Sequence, residues 1–121
     1  MKNIGRKLDA TELLGCFVAL ATPYVTDERL KPRINYFAIE PLMNPILKSN
    51  VHGVVVAGCT GSAYGLSGDE RIKLTKHINQ NYNGRLRVIA GDGGNCTWTT
   101  IGTNTQRREQ THRTAIWYIP L

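Results

Sequence analysis

Cysteine is scarce and poorly placed for cross-linking. Cys16, Cys59 and Cys96 are odd in number, widely spaced, and form no C-x-x-C pair. That argues against a disulfide framework and a structural zinc site; no metal and no cofactor is expected. Reduced thiols fit instead. Because two of the three fall at or beside expected strand ends, the sequence predicts small, buried residues rather than reactive ones. Long apolar runs are also missing: nothing approaches the roughly eighteen residues that a membrane span requires. The opening stretch, residues 1–10, has no apolar centre of the kind a secretory signal carries. A cytoplasmic protein without a membrane is the expectation. Acidic residues are few, nine against fifteen Lys and Arg, for a net charge of +6. The excess is spread, +1 over 1–13, +3 over 14–97 and +2 over 98–121, and is not interleaved with aromatics. A scattered excess reads as a solvated surface, not a nucleic-acid footprint.

What the chain does have is concentrated between Val54 and Glu70. Val54-Val55-Val56-Ala57 is a short apolar, β-branched run, the mark of a fully buried strand. It stops at Gly58 and gives way to small residues, Cys59-Thr60-Gly61-Ser62. Ser67, followed three residues later by Glu70, is a capping box and predicts a helix start. Strand, small polar loop and capped helix make one β/α unit, and such units bind ligands beyond the carboxyl end of the strand. Cys59 and Thr60 stand there.

Gly58-Cys59-Thr60-Gly61-Ser62, with Leu66, Ser67 and Glu70, resembles the G-T-T-G-E…L…E signature of the dihydrodipicolinate synthase and N-acetylneuraminate lyase superfamily. Two flanking segments resemble it in the same order: Phe17-Val18-Ala19-Leu20-Ala21-Thr22-Pro23, and Val88-Ile89-Ala90-Gly91-Asp92-Gly93-Gly94-Asn95-Cys96-Thr97. The second is closest to the synthase branch. The likeness runs from about Leu14 to Thr97. It implies an α/β fold, part of a (β/α)8 TIM barrel. Val18, Val54 and Val88 lie 36 and 34 positions apart. A closed barrel takes eight such units, about 250 residues, so this length holds only the first three or four.

The chain divides accordingly into a polar leader over 1–13, a barrel portion over 14–97, and a divergent tail over 98–121 with a possible fourth strand at 114–119. Cys16 to Ala21 reads as a buried first strand, and Asp27-Glu28-Arg29 as a charged loop. Ile34 to Lys48 reads as a helix whose apolar face includes Phe37, Ile39, Met43 and Leu47. Pro45 predicts a kink or an early end to it. Ser67 to Tyr82 is the second helix, with Ile72, Thr75, Ile78 and Tyr82 inward, closed at Asn83-Gly84. Leu86 to Ala90 is the third strand. His52 precedes its strand, at the end away from the ligand loop, and His77 lies mid-helix; both read as surface or turn histidines. Read one nucleotide later, 101–106 and 117–120 can hide segments resembling the family's next helix and fourth strand. A frameshift near position 98 is therefore an expectation about the coding DNA.

The resemblance implies a pyruvate-dependent aldolase or lyase in which a lysine on a later strand attacks the pyruvate ketone. Thr60 matches the threonine that binds the pyruvate carboxylate, with the Gly61 N–H beside it, and Cys59 replaces the threonine of the proton relay. A thiol donates more weakly than a hydroxyl. Asn95 matches an asparagine of a lysine-feedback site, whose histidine-type positions read Gly68 and Arg71 here, so feedback is not carried over. Tyr118 fits the tyrosine-bearing segment only loosely. None of Lys2, Lys7, Lys31, Lys48, Lys73 and Lys76 stands where the reacting lysine belongs. The implied partners are pyruvate and an aldehyde. The synthase branch, towards lysine, is favoured over sialic-acid or 2-keto-3-deoxy sugar acid cleavage, and a non-catalytic remnant is the rival reading.

Overall fold

The computed structural model describes Thr11, residues 14–82 and 84–91, Trp98, residues 101–102, and the backbone of 115–117. Four strands form one parallel sheet in the order β1 (Phe17–Ala19), β4 (Gly53–Val56), β5 (Arg87–Gly91), β6 (Ala115–Trp117). The register is regular, Val18 against Val54, Val54 against Val88, and Ala90 against Ile116. Parallel neighbours need crossovers, and these are helical: α1 (Ile39–Lys48) between β1 and β4, and α2 (Gly68–Tyr82) between β4 and β5. Two of the expected strand–helix units form, β1 followed by α1 and β4 followed by α2, and strand β6 falls within the expected 114–119.

Side chains alternate across a sheet, and here one face carries the core. Val54, Val56 and Val88 pack against Ile39, Met43, Leu74 and Ile78 of the helices. The opposite face takes the alternate positions Phe17, Ala19, Val55 and Ile89. There Ala19 is exposed, so the first strand is not the fully buried one expected. Its position at the sheet edge is the reason.

Three further features depart from the sequence expectation. The stretch 24–34 is an antiparallel hairpin, β2 (Tyr24–Thr26) with β3 (Pro32–Ile34), rather than a loop leading into a helix. The Asp27 carboxylate accepts the Arg29 and Lys31 N–H groups at 2.9 Å each and fixes the turn. A 3-10 turn (Tyr36–Ala38) then leads into α1, so Ile34 is a buried strand residue and Phe37 is 95% exposed. Finally, α1 continues through Pro45 to Lys48. Pro41 lies in the first turn, where no donor is needed. Beyond Pro45, Ile46 and Leu47 pack on the core, which offsets the lost hydrogen bond.

The capping box at α2 forms as read. Glu70 Oε2 accepts the Ser67 N–H at 2.8 Å, and Ser67 Oγ accepts the Glu70 N–H at 3.3 Å. Ile72, Thr75, Ile78 and Tyr82 are all buried. Gly84, with φ at +90°, turns the chain into β5. At the opposite end of the sheet His52 is structural: its Nδ1 accepts the Cys16 N–H at 2.9 Å. His77 is more than a surface residue, standing edge-on to Tyr36 with ring centroids 4.9 Å apart. No helix among the described residues is long and apolar enough to cross a membrane.

Candidate functional site

Strand β4 ends abruptly. Ala57 adopts a left-handed backbone, φ +55°, which an L-residue holds only at a cost of about 1–2 kcal/mol. The chain then closes two tight bonds, Ser62 N–H to Cys59 O at 3.0 Å and Ala63 N–H to Gly58 O at 3.1 Å. Ser62 is itself left-handed, with φ at +55°. The short 3-10 turn Ala63–Gly65 leads on to Leu66 and the capped helix.

Two neighbours wedge this loop in place. From the end of β1, the buried Thr22 hydroxyl donates to the Gly61 carbonyl at 2.7 Å. A Cβ on Gly61 would sit 2.9 Å from the Leu20 carbonyl oxygen, so only glycine lets the loop approach β1 this closely. On the other side, Gly91 at the end of β5 lies directly against the Ala57 backbone. The Tyr24 hydroxyl of the hairpin lies beside Gly65, 3.8 Å from where a Cβ on that glycine would stand. Neither Thr22 nor Tyr24 was singled out from sequence. Thr22-Pro23 read only as the close of the family-like segment 17–23, though a hydroxyl directly after a buried strand was the available signal.

The loop's Gly58, Cys59 and Gly61 carbonyls all accept hydrogen bonds. Among the described residues, the N–H groups of Cys59, Thr60 and Gly61 donate to no backbone carbonyl. Both the Cys59 and Thr60 side chains are exposed, while Gly61 is buried beneath them. Consecutive free N–H groups beside a hydroxyl form a small anion-binding concavity. The expectation of buried thiols is therefore corrected for two of the three cysteines. Cys59 lies past the end of β4 and Cys16 just before β1, and both are exposed. Cys96, Asn95 and Tyr118 lie outside the described residues.

The remaining residues weighed from sequence sit apart from the loop tip. Gly68 opens α2, and Arg71, one turn on, is buried with its Nε donating to the Leu66 carbonyl at 3.3 Å. Lys31, Lys48, Lys73 and Lys76 are all exposed, on the hairpin and on the two helices. Among the described residues no group of three or more His, Cys, Asp or Glu side chains is placed to hold a metal ion.

The profile of the dihydrodipicolinate synthetase family matches residues 12–119. The chain belongs to that family. Over 83 residues it is 39% identical to the 4-hydroxy-tetrahydrodipicolinate synthase of Limosilactobacillus reuteri, a match covering 69% of this chain and 26% of that protein. It therefore spans only about a quarter of that relative. The dihydrodipicolinate synthase of Aquifex aeolicus superposes with a TM-score of 0.69 at 28% identity, over 86% of this chain and 35% of the other. The N-acetylneuraminate lyase of Proteus mirabilis shares the fold, with a TM-score of 0.67 at 23% identity over 85% of this chain and 33% of that one. The family named by the motifs at 17–23, 58–70 and 88–97 is thus the one shown.

Proposed function

We propose that the loop 58–61 is the carboxylate-binding half of a 2-keto acid site, with pyruvate as the ligand. The single observation that carries this is that the N–H groups of Cys59, Thr60 and Gly61, beside the Thr60 hydroxyl past the end of β4, donate to no backbone carbonyl among the described residues. A carboxylate there accepts charge-assisted hydrogen bonds, roughly twice as strong as neutral ones. Thr60 and the Gly61 N–H hold the carboxylate, and Cys59 takes the proton-relay position. The whole activity is that of a 4-hydroxy-tetrahydrodipicolinate synthase, condensing pyruvate with an aldehyde on the path to lysine. In this reading 14–97 is an arc of a (β/α)8 barrel, preceded by a leader over 1–13 and followed by a divergent tail over 98–121. The frameshift expectation for the tail rests on the coding DNA.

Covalent catalysis needs an amine. Its nitrogen attacks the ketone carbon of pyruvate, water leaves, and an imine remains to be condensed. An amine does this only when its environment holds it partly unprotonated. The exposed positions of Lys31, Lys48, Lys73 and Lys76 favour a chain that binds the keto acid without reacting. Cleavage of N-acetylneuraminate or a 2-keto-3-deoxy sugar acid is the second reading, supported by the shared fold with the Proteus mirabilis lyase.

Two measurements test the proposal together. In an amide-resolved NMR titration with pyruvate, Cys59, Thr60 and Gly61 are expected to shift, and Thr60→Val to abolish the response. Borohydride treatment in the presence of pyruvate is expected to leave the intact mass unchanged. Undisturbed loop amides at saturating pyruvate refute the site, and a reduced pyruvyl adduct refutes the non-reacting half of the reading.

A further inference from the structure

The end of the sheet opposite the loop 58–61 carries its own tie between distant residues. His52 stands immediately before β4 and Cys16 immediately before β1. The His52 N–H donates to the Cys16 carbonyl at 2.8 Å, and the Cys16 N–H donates to His52 Nδ1 at 2.9 Å. The first bond is main chain and extends the pairing of β1 with β4; the second is made by the imidazole. Gly15, with φ at +123°, lets the ring lie directly on the chain, since a Cβ there would fall on the imidazole atoms. A third tie comes from β5, where Arg87 Nη1 donates to the Leu14 carbonyl at 3.4 Å. Residues 14–16 thus form a strap across the starts of β4 and β5, held by one neutral ring and one cation.

The ring can hold the strap in only one of its two states. An imidazole accepts at Nδ1 only while neutral; once protonated, both of its nitrogens donate. Two N–H groups then face each other at Cys16, and that amide loses the one acceptor it has among the described residues. The His52 side chain is half-buried, so solvent reaches it. The titratable and charged side chains that meet it are Cys16, ahead of β1, and Arg87, on β5. Among the described residues His52 has no ion-pair partner, so no carboxylate stands by to hold its charged form in place.

We propose that His52 is a proton-operated latch: neutral, it fastens residues 14–16 to the sheet, and protonated, it releases them and frays the start of β1. Histidine is the side chain that ordinarily changes charge between about pH 5 and 8, so the strap opens in mild acid. The latch is independent of the keto acid reading, because it lies at the other end of the strands and uses none of the loop 58–61.

Amide hydrogen exchange tests it. Expressed as protection relative to an unfolded chain, the Cys16 amide is expected to lose about tenfold between about pH 8 and about pH 5, the scale of one net hydrogen bond. The Leu20 amide, which donates to the Val55 carbonyl at 2.9 Å just past the other end of β1, should keep its protection, which separates release of the strap from acid unfolding. His52→Asn puts a non-titrating amide oxygen near the place of Nδ1 and should keep Cys16 protected at both pH values. His52→Phe should leave Cys16 unprotected at both. Cys16 protection that ignores pH in the parent chain overturns the proposal. So does a pH dependence that His52→Asn retains, or a loss at Leu20 as large as that at Cys16.

Discussion

Thr22 and Gly61, 39 positions apart, are joined by a buried hydrogen bond in which the Thr22 hydroxyl donates to the Gly61 carbonyl at 2.7 Å. This bond ties the end of the first strand to the loop beyond the second. It also turns one loop carbonyl inward while the N–H groups of Cys59, Thr60 and Gly61 stay unengaged among the described residues. The donor-rich face of the loop therefore depends on a residue that touches no ligand.

Thr22→Val keeps the shape and removes the donor. The Gly61 carbonyl is then buried without its partner, at a cost of about 1–3 kcal/mol. The expected result is a lower urea midpoint together with weaker pyruvate-induced shifts at 59–61. Thr22→Ser restores the donor and should recover both. A Thr22→Val chain as stable as the parent, with unchanged pyruvate shifts, would show that the bond organises nothing.

Leu30 holds a left-handed backbone, φ +58°, with its side chain 81% exposed. It closes the β2–β3 turn, its N–H donating to the Asp27 carbonyl at 2.9 Å. Hairpins with a left-handed residue at this point favour glycine there. A leucine pays the steric penalty and gains nothing from burial. Leu30→Gly is expected to stabilise the chain by about 1 kcal/mol, read as a higher urea midpoint with an unchanged slope. Lower stability would mean that the leucine packs on something.

Sequence and structure agree best where signals are local. The β4–α2 unit was legible because its apolar run, small loop and Ser67–Glu70 box are contiguous, and each carries its own physical cause. The hairpin was not. Its strands are three residues each and exposed throughout β2, and Asp27 side-chain bonds hold the turn instead of an apolar pattern. Phe37 fits a helical apolar face by spacing, but that spacing assumes a helix beginning at Ile34. Once Ile34 joins β3 and 36–38 become a 3-10 turn, the phase slips and the ring points outward. Of the candidate site, motif and position name Cys59, Thr60 and Gly61, and the fold puts these three in the loop past β4. The Thr22 tie was not found, since only the folded sheet brings it to Gly61.

Thr75 is fully buried in α2, and its hydroxyl has no hydrogen-bond partner among the described residues. A buried polar group without a partner costs about 1–3 kcal/mol relative to one that is satisfied. Thr75→Val exchanges the hydroxyl for a methyl of similar size, which suits the apolar side chains of Ile72 and Ile78 on the same face. The expected outcome is a gain of about 1 kcal/mol, measured by chemical denaturation. A loss would show that the hydroxyl is satisfied in solution, by a buried water for instance.

Asp27 gives the hairpin a pH dependence whose sign follows from its partners. The Lys31 N–H is the largest influence holding its carboxyl below the ordinary aspartate range; the Arg29 N–H and the Arg33 guanidinium, 3.1 Å away, add to it, and partial desolvation opposes them. A carboxylate whose folded pKa is depressed stabilises the fold above its unfolded pKa and loses that contribution as pH falls through the folded value. The hairpin should therefore hold at neutral pH and loosen in the acid range below the usual aspartate titration. The Arg33 pair is largely solvated and adds little on its own. An NMR titration of the Asp27 carboxyl, with the Lys31 and Arg29 amide shifts as reporters, is expected to show all three moving together at a pH below that of a model aspartate. In Asp27→Asn that acid transition should vanish from both amides. Amide shifts that instead follow the ordinary aspartate pKa would show that the turn bonds do not hold the carboxylate in its charged form.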